Sequence, residues 1–512
     1  MLARCCSAAL RGLEALPVTV EVDIAPGLPG LQLVGLADAA VQEARERVRA
    51  ALRNSGLKVP LTRVVVSLAP AHLRKEGPAF DLPIGLALLV ASGQLAPQAL
   101  AGIWSAAELG LDGRLRPIRG VLALAMAARA AGARALVVPA ANGAEAALIE
   151  GLAVWSASDL RGVLALLADP DRAALPLPAR PPEPANPAVG PDLAEVRGQA
   201  HGRRALEIAA AGRHHLLLVG PPGSGKTMLA RRLAGLLPPL AREEALDLTR
   251  LHSVAGLLPE GSGLVRQRPF RSPHHSCSGA ALIGGGSQPR PGELSLAHHG
   301  VLFLDELTEF RREVLELLRQ PLEEGDVWIS RARQRCRFPC RITLVAATNP
   351  CPCGWYGDPQ GSCGCSESGR RRYWGRLSGP LLDRIDLQVV MRRPEATELA
   401  DQYRPCPGPA VEDTPTVAAR VQDAQARMGW RNPDGLGNGQ VSAVQLQQVL
   451  ALEEEALALW ERAVVGRRLS ARAGERVLRV ARTISDLAGA ERTGCAAVAE
   501  ALNFRSFDRL GR

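Results

Sequence analysis

The segment from His215 to Leu237 leaves the chain little choice of fold. His215 to Val219 is a short apolar run that reads as a buried strand, and the stretch beginning at Met228 (MLARRLAGLL) reads as a helix. Between them stands Gly220-Pro221-Pro222-Gly223-Ser224-Gly225-Lys226-Thr227. A glycine-rich turn between strand and helix points backbone N–H groups inward, and the helix N-terminus adds partial positive charge. In this strand–loop–helix context the pattern is a phosphate-binding loop. Lys226 would reach the β- and γ-phosphates of ATP, and Thr227 would hold Mg²⁺. Val196 and Gly198, just upstream, are expected to line the same nucleotide pocket.

Two later apolar runs end in polar residues suited to the same chemistry. Gly300-Val-Leu-Phe-Leu closes on Asp305-Glu306. Asp305 would position Mg²⁺, and Glu306 would orient and deprotonate the attacking water. Alone, an apolar run ending in Asp-Glu is a common strand end; beside a phosphate-binding loop it reads as the hydrolytic half of one site. Ile342 to Ala347 is a third such strand, tipped by Thr348-Asn349.

A chain of 512 residues is too long for one core and suggests roughly three domains. The Pro-rich stretch 171–191 cannot sustain helix or central strand. It separates an N-terminal domain, 1–170, from an ATPase domain, 192–400, and a C-terminal helical domain, 401–512. The first mixes β-branched runs (Val18 to Ile24, Arg63 to Leu68, Ala135 to Val138) with Ala-rich helices, one of them Ala39 to Asn54 with Glu43, Arg45 and Arg49 on a solvated face. That is an α/β pattern. Arg431 to Gln440 carries turn chemistry and marks a weaker break. Charges at Arg4, Arg11 and Glu14 exclude a signal peptide, and the longest uncharged run, Leu82 to Ala107, is too interrupted to span a bilayer. A cytoplasmic location is therefore expected, where eleven cysteines stay reduced. The net charge of +9 is compatible with a polyanionic partner.

Taken together, these motifs resemble the magnesium-chelatase-like AAA+ ATPases, and more closely the YifB/ComM competence-protein family. The residues that carry the likeness are Pro273-His-His-Ser to Gly286, Pro291-Gly-Glu-Leu-Ser-Leu-Ala-His-His-Gly up to Asp305-Glu306, Asn349-Pro-Cys-Pro-Cys-Gly, and Ala481-Arg-Thr-Ile-Ser-Asp-Leu-Ala. The opening block VEVDIAPGLPGLQLVGLADAAVQEARERVRAAL matches the family's N-terminal domain, so the likeness covers nearly the whole chain. It implies an α/β fold: an AAA+ P-loop core with a C-terminal helical lid, preceded by a domain with the fold of the Lon protease domain and ribosomal protein S5 domain 2. It implies hexameric rings, a homo-oligomer hydrolysing ATP, and a helicase driving branch migration as single-stranded DNA is integrated. Asn349 would be the γ-phosphate sensor. Leu377-Ser-Gly-Pro-Leu-Leu-Asp-Arg384 resembles the segment that presents an arginine finger to a neighbour's ATP; the plainer alternative is a salt bridge from Arg384 to Asp383 or Asp386. Arg472, with Arg479 as competitor, would be the second sensor on a lid helix. Lon-type proteases need Ser and Lys where this chain has Ala79 and Leu122, so the first domain is expected to be proteolytically dead, serving structure or docking a recombination protein.

Two segments stand apart from the nucleotide chemistry. Asp326 to Arg341 alternates like a β-hairpin and carries Arg331, Arg333, Arg335 and Arg337, which could track a DNA backbone or simply be solvated. The Gly279 to Gly292 loop, flexible and Gly-rich, resembles a second pore insert. Cys351, Cys353, Cys363 and Cys365 form a candidate tetrahedral Zn²⁺ site, although C-x-C is tighter than the usual spacing and reduced thiols are the alternative. The rival to a DNA motor is a chelatase-type motor that remodels a protein partner; the nucleotide site is common to both.

Overall fold

The computed structural model describes residues 2–169, 190–286, 289–331, 334–400 and 411–505. Contacts group them into two units, neither continuous in sequence. The first comprises the described residues of Met1–Ala185, Arg242–Val265 and Ser330–Arg337; the second, those of Asn186–Ala241, Arg266–Ile329 and Phe338–Arg512. The segment Arg242–Val265, which lies within 192–400, therefore belongs by contacts to the first unit. Most of the Pro-rich stretch 171–191 is outside the described residues.

The first unit is built on a seven-stranded sheet in the order Gly30–Val34, Arg63–Ala69, Glu14–Ala25, Leu2–Arg11, Ile103–Ser105, Ala135–Pro139, Ala153–Ala157. Leu2–Arg11 and Glu14–Ala25 pair antiparallel with Arg4 opposite Glu21. That register puts Arg4 Nε 2.9 Å from the Glu21 carboxylate on the outer face while Val18, Val20 and Val22 enter the core. Helix Ala39–Asn54 starts where the Asp38 carboxylate accepts the Val41 N–H, and it buries Val41, Ala44, Val48, Ala51 and Leu52. Glu43, Arg45 and Arg49 face water, as the sequence pattern requires. Ala79 and Leu122, at the positions of a Lon-type dyad, both pack in an apolar cluster that also receives Leu246 of helix Arg242–Ala255. The Leu122 N–H donates to Glu145, whose carboxylate also accepts from Ser253 of that helix.

The second unit holds an all-parallel five-stranded sheet ordered Phe270–Arg271, Val301–Leu304, Thr343–Thr348, Leu216–Val219, Leu387–Val390. Its central strands are apolar and buried throughout, as a sheet covered on both faces must be. C-terminal to it lie helices Thr414–Arg431, Ala443–Val449, Glu454–Arg467, Ala471–Leu487 and Cys495–Asn503. Val477, Val480, Ala481 and Ile484 of the fourth share one apolar cluster with the sheet strands. A buried polar network ties the same helix down. Asp486 accepts from Arg431, Arg482 and Asn438, and Asn438 also donates to Thr483. His214 donates or accepts at Thr483 (2.7 Å) and Asp386 (3.2 Å), and Asp386 pairs with Arg476. Removing Arg476 would take the paired cation from the buried Asp386 carboxylate, and breaking such a pair typically costs about 3–5 kcal/mol. No helix among the described residues is long and apolar enough to cross a membrane.

The segment 279–292, expected as a flexible loop, is ordered differently. Ser278 caps a short helix, Gly279–Ile283, and Gly284–Gly285 pairs with Arg290–Pro291. Gly284 (φ 99°) and Gly292 make this possible, because a Cβ on Gly292 would lie 2.3 Å from the Gly284 nitrogen. Residues 287 and 288 are outside the described set.

Candidate nucleotide site

Parallel registry brings three strand ends to one edge of the sheet. Val219 is level with Thr348, and Leu304 with Ala346, so the residues after them converge where ligands of open α/β sheets bind. After Val219 the loop turns through Gly223 (φ 78°) and Gly225 (φ 86°), conformations that favour glycine, into helix Lys226–Leu236. A Cβ on Gly220 would lie 2.7 Å from the Met391 carbonyl oxygen, so this end of the loop tolerates no side chain.

Lys226 Nζ donates to the Gly220 and Pro221 carbonyls (2.7 and 2.9 Å) and to Asn349 Oδ1 (3.2 Å). Burial pushes its pKa down to about 8, against the pull of the Asp305 charge. The ammonium therefore rests on neutral acceptors that a phosphate would replace. Thr227 Oγ1 donates to Asp305 Oδ2 at 2.8 Å, which sets the two expected Mg²⁺-side oxygens side by side. The Ser224 hydroxyl is buried with no hydrogen-bond partner in the protein. This donor set fits ATP and Mg²⁺: amides and ammonium for phosphate, hydroxyl and carboxylate for the cation. When bound, the cation neutralises charge on the β- and γ-phosphates.

Glu306 adopts φ 50°, and its Oε2 lies 3.0 Å from His275 Nδ1. His275 thus sets the direction of the carboxylate expected to activate water. Asn349 meets Lys226 directly. Gln199, not foreseen as a site residue, donates from Nε2 to the carbonyls of Ser224 (3.1 Å) and Arg392 (2.5 Å), bolting the phosphate loop to the segment after the last strand. Val196 is buried in the apolar core beside it, and Gly198 (φ 61°) has the Glu398 carboxylate where a Cβ would stand. The signal that could have found Gln199 and His275 was their place inside motifs already singled out, next to Gly198 and within Pro273-His-His-Ser.

Arg384 is buried. Its guanidinium donates to the Pro380 carbonyl (2.8 Å) and pairs with Glu323, while Nε has no partner. The partner is neither Asp383 nor Asp386, the candidates weighed from sequence; Asp386 is taken by Arg476 and His214. Burial alone would raise the Asp386 pKa, but those neighbours hold it well below the usual carboxylate range. Arg472 is exposed in the first turn of helix Ala471–Leu487. Arg479, its competitor, is mostly buried and donates weakly to the Gly439 carbonyl (3.4 Å).

The four cysteines converge. Cys351, Cys353, Cys363 and Cys365 have their sulfurs within 4.8 Å of one another. Asp326–Arg331 and Gln334–Pro339 form the expected strand pair. On its second strand Cys336 and Phe338 are buried, with Arg335 and Arg337 exposed between them. The backbone of Arg331 is in the first strand; Arg333 is outside the described residues.

Comparison with known proteins finds similarity along nearly the whole chain. The family model described as magnesium chelatase, subunit ChlI matches residues 192–399; subunit ChlI of Mg-chelatase matches 20–142, and its C-terminal model 411–505. The protein named YifB of Escherichia coli is 44% identical over 499 residues, covering 98% of this chain and 96% of that one. Competence protein ComM of Haemophilus influenzae is 42% identical over 512 residues, covering 98% and 97%. Lon protease 2 of Bacillus subtilis is 29% identical over 157 residues, 29% of this chain.

Proposed function

The chain belongs to the YifB/ComM family of magnesium-chelatase-like AAA+ ATPases, and on that premise we propose that it is an ATP-driven DNA motor. Its fold is an AAA+ core with a C-terminal helical lid, preceded by a Lon-like α/β domain. In the proposed function a hexameric ring in the cytoplasm hydrolyses ATP and drives branch migration of DNA during recombination or uptake of single strands. Lys226, Thr227, Asp305, Glu306 and Asn349 act within one subunit; Arg384 reaches the neighbour's ATP, and Arg472 follows the lid. Arg331, Arg333, Arg335 and Arg337 contact phosphates, and the Lon-like domain docks a recombination protein.

One observation supports DNA over a protein substrate: the strand that buries Cys336 and Phe338 while turning Arg335 and Arg337 to solvent. Alternation on a half-buried strand sends every second residue outward, and arginine at successive outward positions is what a polyphosphate track uses. The test is ATP turnover by the purified protein with and without single-stranded, forked and four-way DNA at low salt. Stimulation by forked DNA that disappears in an Arg335→Ala/Arg337→Ala variant, with basal turnover intact, supports the motor. Turnover indifferent to every DNA ends the DNA reading and favours a chelatase-type motor acting on a protein.

The four cysteines we propose to be a structural Zn²⁺ site. Sulfurs about 2.3 Å from one tetrahedral ion stand about 3.8 Å from each other. Cys351 lies 3.3 Å from Cys353 and 3.7 Å from Cys363, and Cys353 lies 3.6 Å from Cys363. The Tyr356 N–H also points at Cys351 Sγ (3.4 Å), an outer-shell donor of the kind thiolate sites use.

A further inference from the structure

Between Asn349 and helix Glu367–Trp374 the chain makes a compact loop whose position nothing in the ATPase chemistry requires. It leans on the phosphate loop from behind. Gly354 adopts φ 85°, and a Cβ there would stand 2.7 Å from Cδ of Pro222 and 3.9 Å from Cγ of Asn349. The turn is closed by the Gly354 N–H donating to the Cys351 carbonyl at 2.9 Å. Its near end is the residue pair Asn349-Pro350, and Asn349 shares a hydrogen bond with Lys226.

The far end is anchored as firmly. The Trp374 indole donates to the Pro350 carbonyl (3.0 Å), and the Tyr373 hydroxyl lies 3.3 Å from Thr348 Oγ1. Arg370 donates to the Cys365 carbonyl (2.8 Å), and its guanidinium lies 4.3 Å above the Tyr356 ring. The loop thus has fixed ends, and the convergence of its four sulfurs sets the path between them. Among the described residues it carries no strand, and at Gly354 that path touches the nucleotide loop.

We infer that zinc at the four cysteines and nucleotide at the phosphate loop are coupled, each favouring the other's binding, through the contacts of Gly354 with Pro222 and of Asn349 with Lys226. The inference rests on the zinc reading above. Bound metal holds the turn at Gly354 against Pro222 and keeps the phosphate loop in its receiving shape. Bound nucleotide immobilises the phosphate loop and so confines the turn from the other side. Such coupling is reciprocal by thermodynamic necessity, so it can be read from the metal.

The experiment is the zinc affinity of the full chain, read by equilibrium competition with a zinc-selective chromogenic chelator, with and without saturating ADP, after metal analysis of the purified protein. ADP is expected to tighten zinc by about fivefold or more, the lower end of typical site–site coupling. Lys226→Ala should show the nucleotide-free affinity whether or not ADP is added. Gly354→Ala should still bind zinc but lose most of the ADP effect. If zinc is bound with one affinity with and without ADP, the coupling is refuted and the zinc site stands. If the protein neither contains nor takes up zinc, the metal reading falls, and the coupling with it.

Discussion

Lys226 and Arg384, the two cations given to the phosphates, are kept in opposite ways. Lys226 touches only neutral acceptors, and its ammonium gains from any phosphate that displaces them. Arg384 is 8% exposed and already has a carboxylate, Glu323. The contrast teaches that one chain gathers its own half of the site unaided, whereas Arg384, in the proposed role toward a neighbour, would first have to leave Glu323. The exposed half of that pair is Glu323, at 55%, so water screens it and the latch is weak.

The contrast breaks first at Arg384. Arg384→Ala is expected to reduce ATP turnover about 10³-fold or more while leaving ATP binding nearly unchanged, as loss of an arginine finger does. A variant with normal turnover and only a lower melting temperature would make Arg384 a strut. Lys226→Ala should cost about 10²–10³ in turnover and, unlike the finger variant, weaken nucleotide binding itself. Equilibrium binding of a fluorescent ADP separates the two. A pH series sharpens the Lys226 side. Its pKa in the free protein is about 8, and the bound phosphate favours the charged form, so affinity is full below pH 8 and falls above it. The expected slope approaches about tenfold per pH unit between 8 and the higher pKa of the complex. Affinity flat from pH 7 to 9.5 would mean the ammonium is not what holds the nucleotide. The smallest effect belongs to Glu323→Gln. Releasing Arg384 should lower the protein concentration giving half-maximal turnover by about two- to fivefold, the worth of a partly exposed ion pair. A higher concentration would show that Glu323 holds the finger in its working pose.

The cis half of the site was legible in sequence because its parts are local. A strand, glycine turn and helix define the phosphate loop within the one stretch Leu216 to Leu236, and parallel packing then forces Asp305 and Asn349 to the same edge. The α/β pattern of the first unit was readable for the same reason, from period-two and period-3.6 alternation. What stayed hidden depends on partners far along the chain. Glu323 lies 61 residues from Arg384, and Gln199 reaches Arg392 across 193. No local pattern marks either pair. The stretch Gly279 to Gly292 was read as a flexible loop because glycine advertises freedom, while here Gly284 and Gly292 serve close backbone approach. The four cysteines advertised themselves by spacing; the contact of Gly354 with Pro222 did not.

The discontinuity of the first unit has a consequence for how the protein comes into being. Helix Arg242–Ala255 supplies Leu246 to an apolar cluster whose other members all precede residue 169, and Ser253 to the buried Glu145 carboxylate. At synthesis speeds of about 5–20 residues per second, that helix emerges roughly 5–20 seconds after the strand Ala153–Ala157. Through that interval the nascent first unit has an unfinished face, and before it ends the phosphate-loop strand Leu216–Val219 has been made. Birth order and fold order therefore cross, so a chaperone or a pause that acts in this window would shape the yield of both halves at once.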